Sequence, residues 1–159
     1  MSQPITLATL AGQEGAEIGV SRWFALAQEQ INRFAALTED AYFIHTDPAR
    51  ARAETPFGGT VAHGFFTLSF LSAMSYDALP EVAGKRMQVN YGFDRIRFVA
   101  PVPAGARIRG RFALSRCQWA GGEEATLTYG VTVEIADAER PAVVADWVAR
   151  IWGAFGEAG

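Results

Sequence analysis

His45 and His63 are the only imidazoles in the chain, and both sit in one turn-rich stretch. Loops of that kind, held by a rigid scaffold, are where catalytic residues collect. Around the first, the residues run Thr38, Glu39, Asp40, Ala41, Tyr42, Phe43, Ile44, His45. A carboxylate and an imidazole converging on one point form a general acid/base pair, and water is their obvious shared partner. On an unbroken helix, side chains spaced like Asp40 and His45 point about 140° apart, given 3.6 residues per turn. They share a pocket only if a helix ends near Thr38–Asp40 and the chain then bends. The competing reading makes Asp40 a helix cap and His45 a packing residue beside Phe43 and Ile44.

The second block is Thr60, Val61, Ala62, His63, Gly64. A helix starting at Thr60 offers free N–H groups with partial positive charge, which bind an anionic oxygen. Gly64 lets a ligand atom approach its backbone, making an oxyanion site; close packing of the helix is the alternative reason for a glycine there. His63 reads as a structural hydrogen-bonding residue rather than a catalytic one. Nucleophile-elbow, phosphate-loop, dinucleotide and zinc-protease motifs are missing. Two histidines and the single Cys117 argue against a metal site.

These residues need elements to position them. From Ala27, Ile31, Phe34, Ala35 and Leu37 form one helical stripe that ends at Thr38–Asp40. A short helical turn fits Pro48–Glu54, with Asp47 as N-cap and Pro48 at the first position. A longer helix is expected from Thr60 to about Asp77, apolar around its whole wheel and so buried on nearly all sides. Residues 1–21 read as loop, with a short strand near Arg22–Leu26.

After Gly84 the period becomes two. Strands are expected over 107–114, 125–135 and 143–151, with one face wet. In 86–99, Met87, Val89, Tyr91 and Phe93 take odd positions but Ile96 and Phe98 even ones. One β-bulge near Asp94–Arg95 restores a common face. Pro101–Gly105, Gly121–Gly122 and Asp137–Pro141 mark the turns of an antiparallel meander. The fold class is α+β, a central helix against a curved antiparallel sheet.

The chain has 159 residues, half of them hydrophobic and 19% charged, which fits one globular domain over 1–159. A net charge of −3 argues against nucleic acid as partner. The apolar stretch Val61–Met74 is broken by polar residues and too short to span a membrane. Met1–Gly19 lacks the basic and apolar regions of a secretory signal. Together with the lone cysteine, this gives a cytoplasmic expectation.

The sequence resembles the MaoC-like dehydratases, or R-specific (type 2) enoyl-CoA hydratases. Their signature is an aromatic residue, then Gly–Asp–x–Asn–Pro–Leu/Ile–His, then a small residue six positions on. Phe34, Asp40, Ile44, His45 and Ala51 match it, while Glu39 replaces the glycine and Tyr42–Phe43 replace Asn–Pro. Thr60–Gly64 resembles the family's second block. Asn90–Tyr91–Gly92, Arg95–Phe98 and Pro101–Val102 resemble its third, so the resemblance spans about residues 20–152 and implies that these form the core of the domain.

The resemblance implies the hotdog fold, a long helix wrapped by an antiparallel sheet, as a homodimer. It implies reversible syn hydration of a trans-2-enoyl thioester to the (R)-3-hydroxyacyl thioester. Asp40 and His45 then hold the water, and the Gly64 N–H steadies the thioester oxygen. No cofactor is implied, since CoA or an acyl carrier is part of the substrate. Arg95 and Arg97 share a parity and are candidate contacts for its phosphates, with solvated strand residues as the alternative. A hotdog thioesterase and a non-catalytic acyl-thioester-binding subunit are the competing functions.

Overall fold

The computed structural model describes residues 3–156. Its elements in chain order are α1 (Leu7–Ala11), β1 (Glu17–Val20), β2 (Phe24–Ala25), α2 (Gln28–Thr38), α3 (Phe43–Thr46), α4 (Pro48–Glu54), α5 (Gly64–Ser69), α6 (Leu71–Ala78), β3 (Lys85–Phe98), β4 (Arg107–Gln118), β5 (Glu124–Ile135) and β6 (Val143–Gly153). The α+β class holds. In the segment expected to be loop, Leu7 and Leu10 bury a short helix that Thr6 caps through the Thr9 N–H, at 3.0 Å.

The three strands β4, β5 and β6 form the expected antiparallel meander, and alternating burial marks one face of each as core. The strand β3 departs from it. It skips β4 and pairs with β6, giving the order β1-β4-β5-β6-β3, while β2 also pairs with β4. The link from β3 to β4 therefore has to cross the sheet. It is pinned on the way, since the Ala62 N–H donates to Val102 O at 2.8 Å and the Ala104 N–H to Thr60 O at 2.9 Å.

That pinning moves the start of the long helix. Residues 60–63 are held extended by the crossing link, so the helix begins at Gly64 rather than Thr60, with His63 as its N-cap. The helix is also interrupted at Phe70, which separates α5 from α6. Nor is it buried all round. Phe65 is 70% and Tyr76 82% exposed, and Leu37 of the α2 stripe is likewise uncovered. The buried side faces the sheet, where Leu71 and Met74 join Ile108, Phe112, Val131 and Trp147 in one core.

The expected bulge in β3 is present between Phe93 and Arg95, a second lies between Asn90 and Gly92, and the register shifts again between Lys85 and Met87 at the strand's start. Partners across a ladder share a face, so the buried residues of β6 identify the inner face of β3. Phe98, Ile96 and Phe93 lie opposite Val143, Ala145 and Trp147, as expected. Beyond the second bulge, however, Asn90 and Gln88 turn inward, and Met87 and Val89 face out with half-exposed side chains. The expectation that Met87 and Val89 share the core face of Phe93 is thus corrected. Trp147 supplies the reason: its buried indole N–H donates to the Asn90 side-chain oxygen, and a buried donor needs such a partner.

Candidate active site

Helix α2 ends at Glu39, whose φ of +60° puts it in the left-handed region. This is where the signature has glycine, the residue that enters that region freely. The turn sends Asp40 away from the helix axis. Tyr42 is extended and serves as N-cap of the single-turn helix α3, so Phe43 sits at the first helical position. Proline is also at home there, and the aromatic residue is stiffened in another way. The Arg50 guanidinium lies 4.0 Å from the Phe43 ring centroid, and Tyr42 packs edge-on against the same ring. In α4 the Asp47 side chain accepts from the Arg50 N–H at 3.0 Å, the expected cap.

His45 projects from α3. A backbone carbonyl only accepts, so the 2.7 Å contact between His45 Nδ1 and Val61 O puts the proton on Nδ1 and leaves Nε2 as a free acceptor in the neutral ring. Gln28 of α2 braces the same turn. Its Nε2 donates to His45 O at 2.7 Å, and its Oε1 accepts from the Thr60 hydroxyl. Burial lowers the His45 pKa below its ordinary value of 6.5, and the neighbouring His63 adds to the lowering. The hydrogen bond to Val61 O and the charge of Asp40 oppose it.

His63 is nearly inaccessible, at 3% exposure. Its ring stacks on His45 with centroids 3.7 Å apart, and it also leans on Phe34. Its Nε2–H donates to the backbone oxygen of Asp40 at 2.9 Å, with Asp40 Oδ2 4.0 Å away. Asp40, His45 and His63 each place a polar side-chain atom within 4.8 Å of the others. One water bridges such a span with two hydrogen bonds of about 2.8 Å. The cluster also has the spacing of metal ligands, but stacked imidazoles aim their lone pairs side by side rather than at one point. The sequence brought Asp40 and His45 together but left His63 out. The available signal was that the chain's only other imidazole directly precedes Gly64.

Gly64 opens α5. The first helical hydrogen bond runs from Thr67 N–H to His63 O, so the Gly64 amide is free of the helix. The ring of Phe98 fills the space a side chain would need, since a Cβ on Gly64 would lie 2.8 Å from Phe98 Cδ1. A larger residue there has to push the half-exposed Phe98 ring aside, a packing reason for the glycine that is independent of what its N–H binds. Beside it lies a cavity of about 240 Å³ lined by Ala62, Gly64, Thr67, Phe98, Val102 and Val143 among others. A larger groove of about 870 Å³ runs past Tyr91, Arg116 and Arg150 and contains none of the clustered residues.

Arg95 and Arg97 do share a face, the outer one, away from the helices. Arg95 pairs with Asp146 at 3.2 Å, and Arg97 Nη1 donates to Ile96 O at 2.8 Å. The structure does not bring either into contact with Asp40, His45 or Gly64.

Residues 10–135 match the family model described as a MaoC like domain. The chain belongs to the MaoC-like domain family. Among similar proteins is Nodulation protein N of Rhizobium leguminosarum bv. viciae, 48% identical over 147 residues, covering 92% of this chain and 91% of that one. Another is 3-hydroxyacyl-thioester dehydratase Z of Mycobacterium tuberculosis, 39% identical over 145 residues, covering 91% and 95%. Of solved structures, the monoamine oxidase regulatory protein from Archaeoglobus superimposes with a TM-score of 0.75 at 25% identity, covering 94% of this chain and 95% of that one. The MaoC-like architecture seen here is the hotdog fold. Among the described residues no helix is long and apolar enough to cross a membrane.

Proposed function

We propose that this MaoC-like protein hydrates trans-2-enoyl thioesters to (R)-3-hydroxyacyl thioesters, and dehydrates them in reverse. One observation carries the reading: a ring nitrogen of His45 and a carboxylate oxygen of Asp40 stand within one water of each other, and the third member of that cluster, His63, directly precedes Gly64, whose amide is free of the helix. The water bound between the pair gives a proton to His45 Nε2 as its oxygen bonds to C3. The C2–C3 π electrons move toward the thioester oxygen, which gains charge and draws on the Gly64 N–H. The imidazolium, steadied by Asp40, returns the proton to C2. The product holds all atoms of one water. The relative named as a 3-hydroxyacyl-thioester dehydratase supports this substrate class.

The cavity of about 240 Å³ beside Gly64, lined mostly by apolar side chains, gives an acyl chain an apolar place to lie. Crotonyl-CoA is the probe, followed by enoyl absorbance and by free thiol. Hydration without thiol release supports the reading. Thiol release favours a thioesterase, and binding without turnover favours a non-catalytic subunit. The protein acts as a homodimer in this reading, because β3 leaves a fourteen-residue strand edge uncovered.

A further inference from the structure

We propose that His63 is a positioning residue for the Asp40–His45 pair, clamping the Asp40 backbone with its Nε2–H and backing the His45 ring with its own. This rests on the hydration reading for its kinetic consequence, but the geometry stands apart from it. Asp40 itself is loosely held. Its side chain is 56% exposed, and among the described residues no hydrogen bond to its carboxylate ties it down. The 2.9 Å bond from His63 to its backbone oxygen fixes the bend that turns it from α2 toward His45. His45 is anchored at Nδ1 and at its carbonyl, and the stack with His63, at 3.7 Å and 26° between planes, supports the face of the ring that those anchors orient.

The His63 Nδ1 is buried without a partner. A buried polar atom of this kind asks for an explanation. Here the ring is oriented by Asp40 on one edge and by His45 and Phe34 on its faces, so its second nitrogen has no say in the orientation. The cost is borne at a place where ring position governs the chemistry.

The charge environment gives a second handle. Around His45, Asp40 favours the imidazolium and His63 opposes it, Gln28 of α2 presents an uncharged amide, and Arg50 of α4 is engaged with Phe43 and Glu54. Removing His63 therefore moves the His45 titration upward.

Two variants separate the two contacts. His63→Phe keeps a flat ring against His45 and loses the N–H. His63→Gln keeps an N–H near the Nε2 position and loses the ring. With two histidines in the chain, imidazole NMR signals are assigned by comparing His45→Gln with His63→Gln. The expected result is a kcat for crotonyl-CoA hydration about 10- to 100-fold lower in His63→Phe, the order of effect of an ångström-scale misplacement. KM should change little, and His63→Gln should retain more of the rate. The His45 midpoint should rise in both variants. A residue that only packs the core would lower the melting temperature while leaving kcat per folded molecule and the His45 midpoint as in wild type, and that result overturns the inference. A wild-type kcat in folded His63→Phe overturns it. If wild type shows no hydration, the hydration reading fails, and the NMR signals of the His45 ring and the Asp40 backbone decide the role of His63: signals left unmoved in the folded variants overturn it.

Discussion

In the proposed hydration, Asp40 and His45 act through where their protons sit. His45 offers Nε2 because Val61 O occupies Nδ1, and burial keeps the ring neutral below its ordinary pKa. Asp40→Asn and His45→Gln should each reduce hydration by about 10²- to 10⁴-fold, because His45 carries the proton in the proposed reaction and Asp40 holds the water and the imidazolium it works through. Melting temperatures should stay within a few degrees, since neither residue belongs to the core; a mutant close to the wild-type rate removes its residue from the mechanism. The pKa direction also sets a pH dependence. A histidine whose folded pKa is depressed binds fewer protons folded than unfolded below pH 6.5, so stability falls as pH drops through that region. The acid limb of kcat/KM should accordingly lie below 6.5, and the loss of melting temperature on acidification should shrink in His45→Gln. Glu39 makes a separate prediction. Held at φ +60°, it should be improved by Glu39→Gly, by about 0.5–1 kcal/mol in chemical denaturation, because the relief of left-handed strain exceeds the entropy glycine adds to the unfolded chain.

At the scale of elements, the bend after α2, the one-turn α3 and the late start of α5 are what aim the site. Each is set by a contact from another part of the chain: His63 on Asp40, Gln28 on His45 and Thr60, and the crossing link on residues 60–62. The strand β3 shows the same dependence. Its apolar alternation suggested one bulge, and a second one turns Asn90 inward to meet the Trp147 indole. Asn90→Leu should therefore cost about 1–3 kcal/mol, the penalty for a buried donor left without a partner. A variant as stable as wild type would mean the indole finds another acceptor.

For the whole molecule, the strand order leaves β3 as an end strand whose outward residues include exposed Met87, Val89 and Tyr91. Unpaired edges of this length are normally covered. Sedimentation at micromolar concentration should give twice the chain mass, and a monomer there contradicts the dimer.

Local rules reached far into this protein. Alternation identified β4, β5 and β6 and their buried faces, Asp47–Pro48 identified the start of α4, and the residue types and spacing of Asp40, His45 and Gly64 picked out the candidate site. All of these depend on neighbours a few residues away, which the sequence displays directly. Contacts between distant segments decided the rest. Pairing of β3 with β6 rather than β4 sent the crossing link past Thr60–Ala62 and so moved the helix start to Gly64. Packing of His63 against His45 joined two imidazoles that lie eighteen positions apart in the chain. Such contacts follow from which surfaces can be buried together, and no local periodicity encodes that.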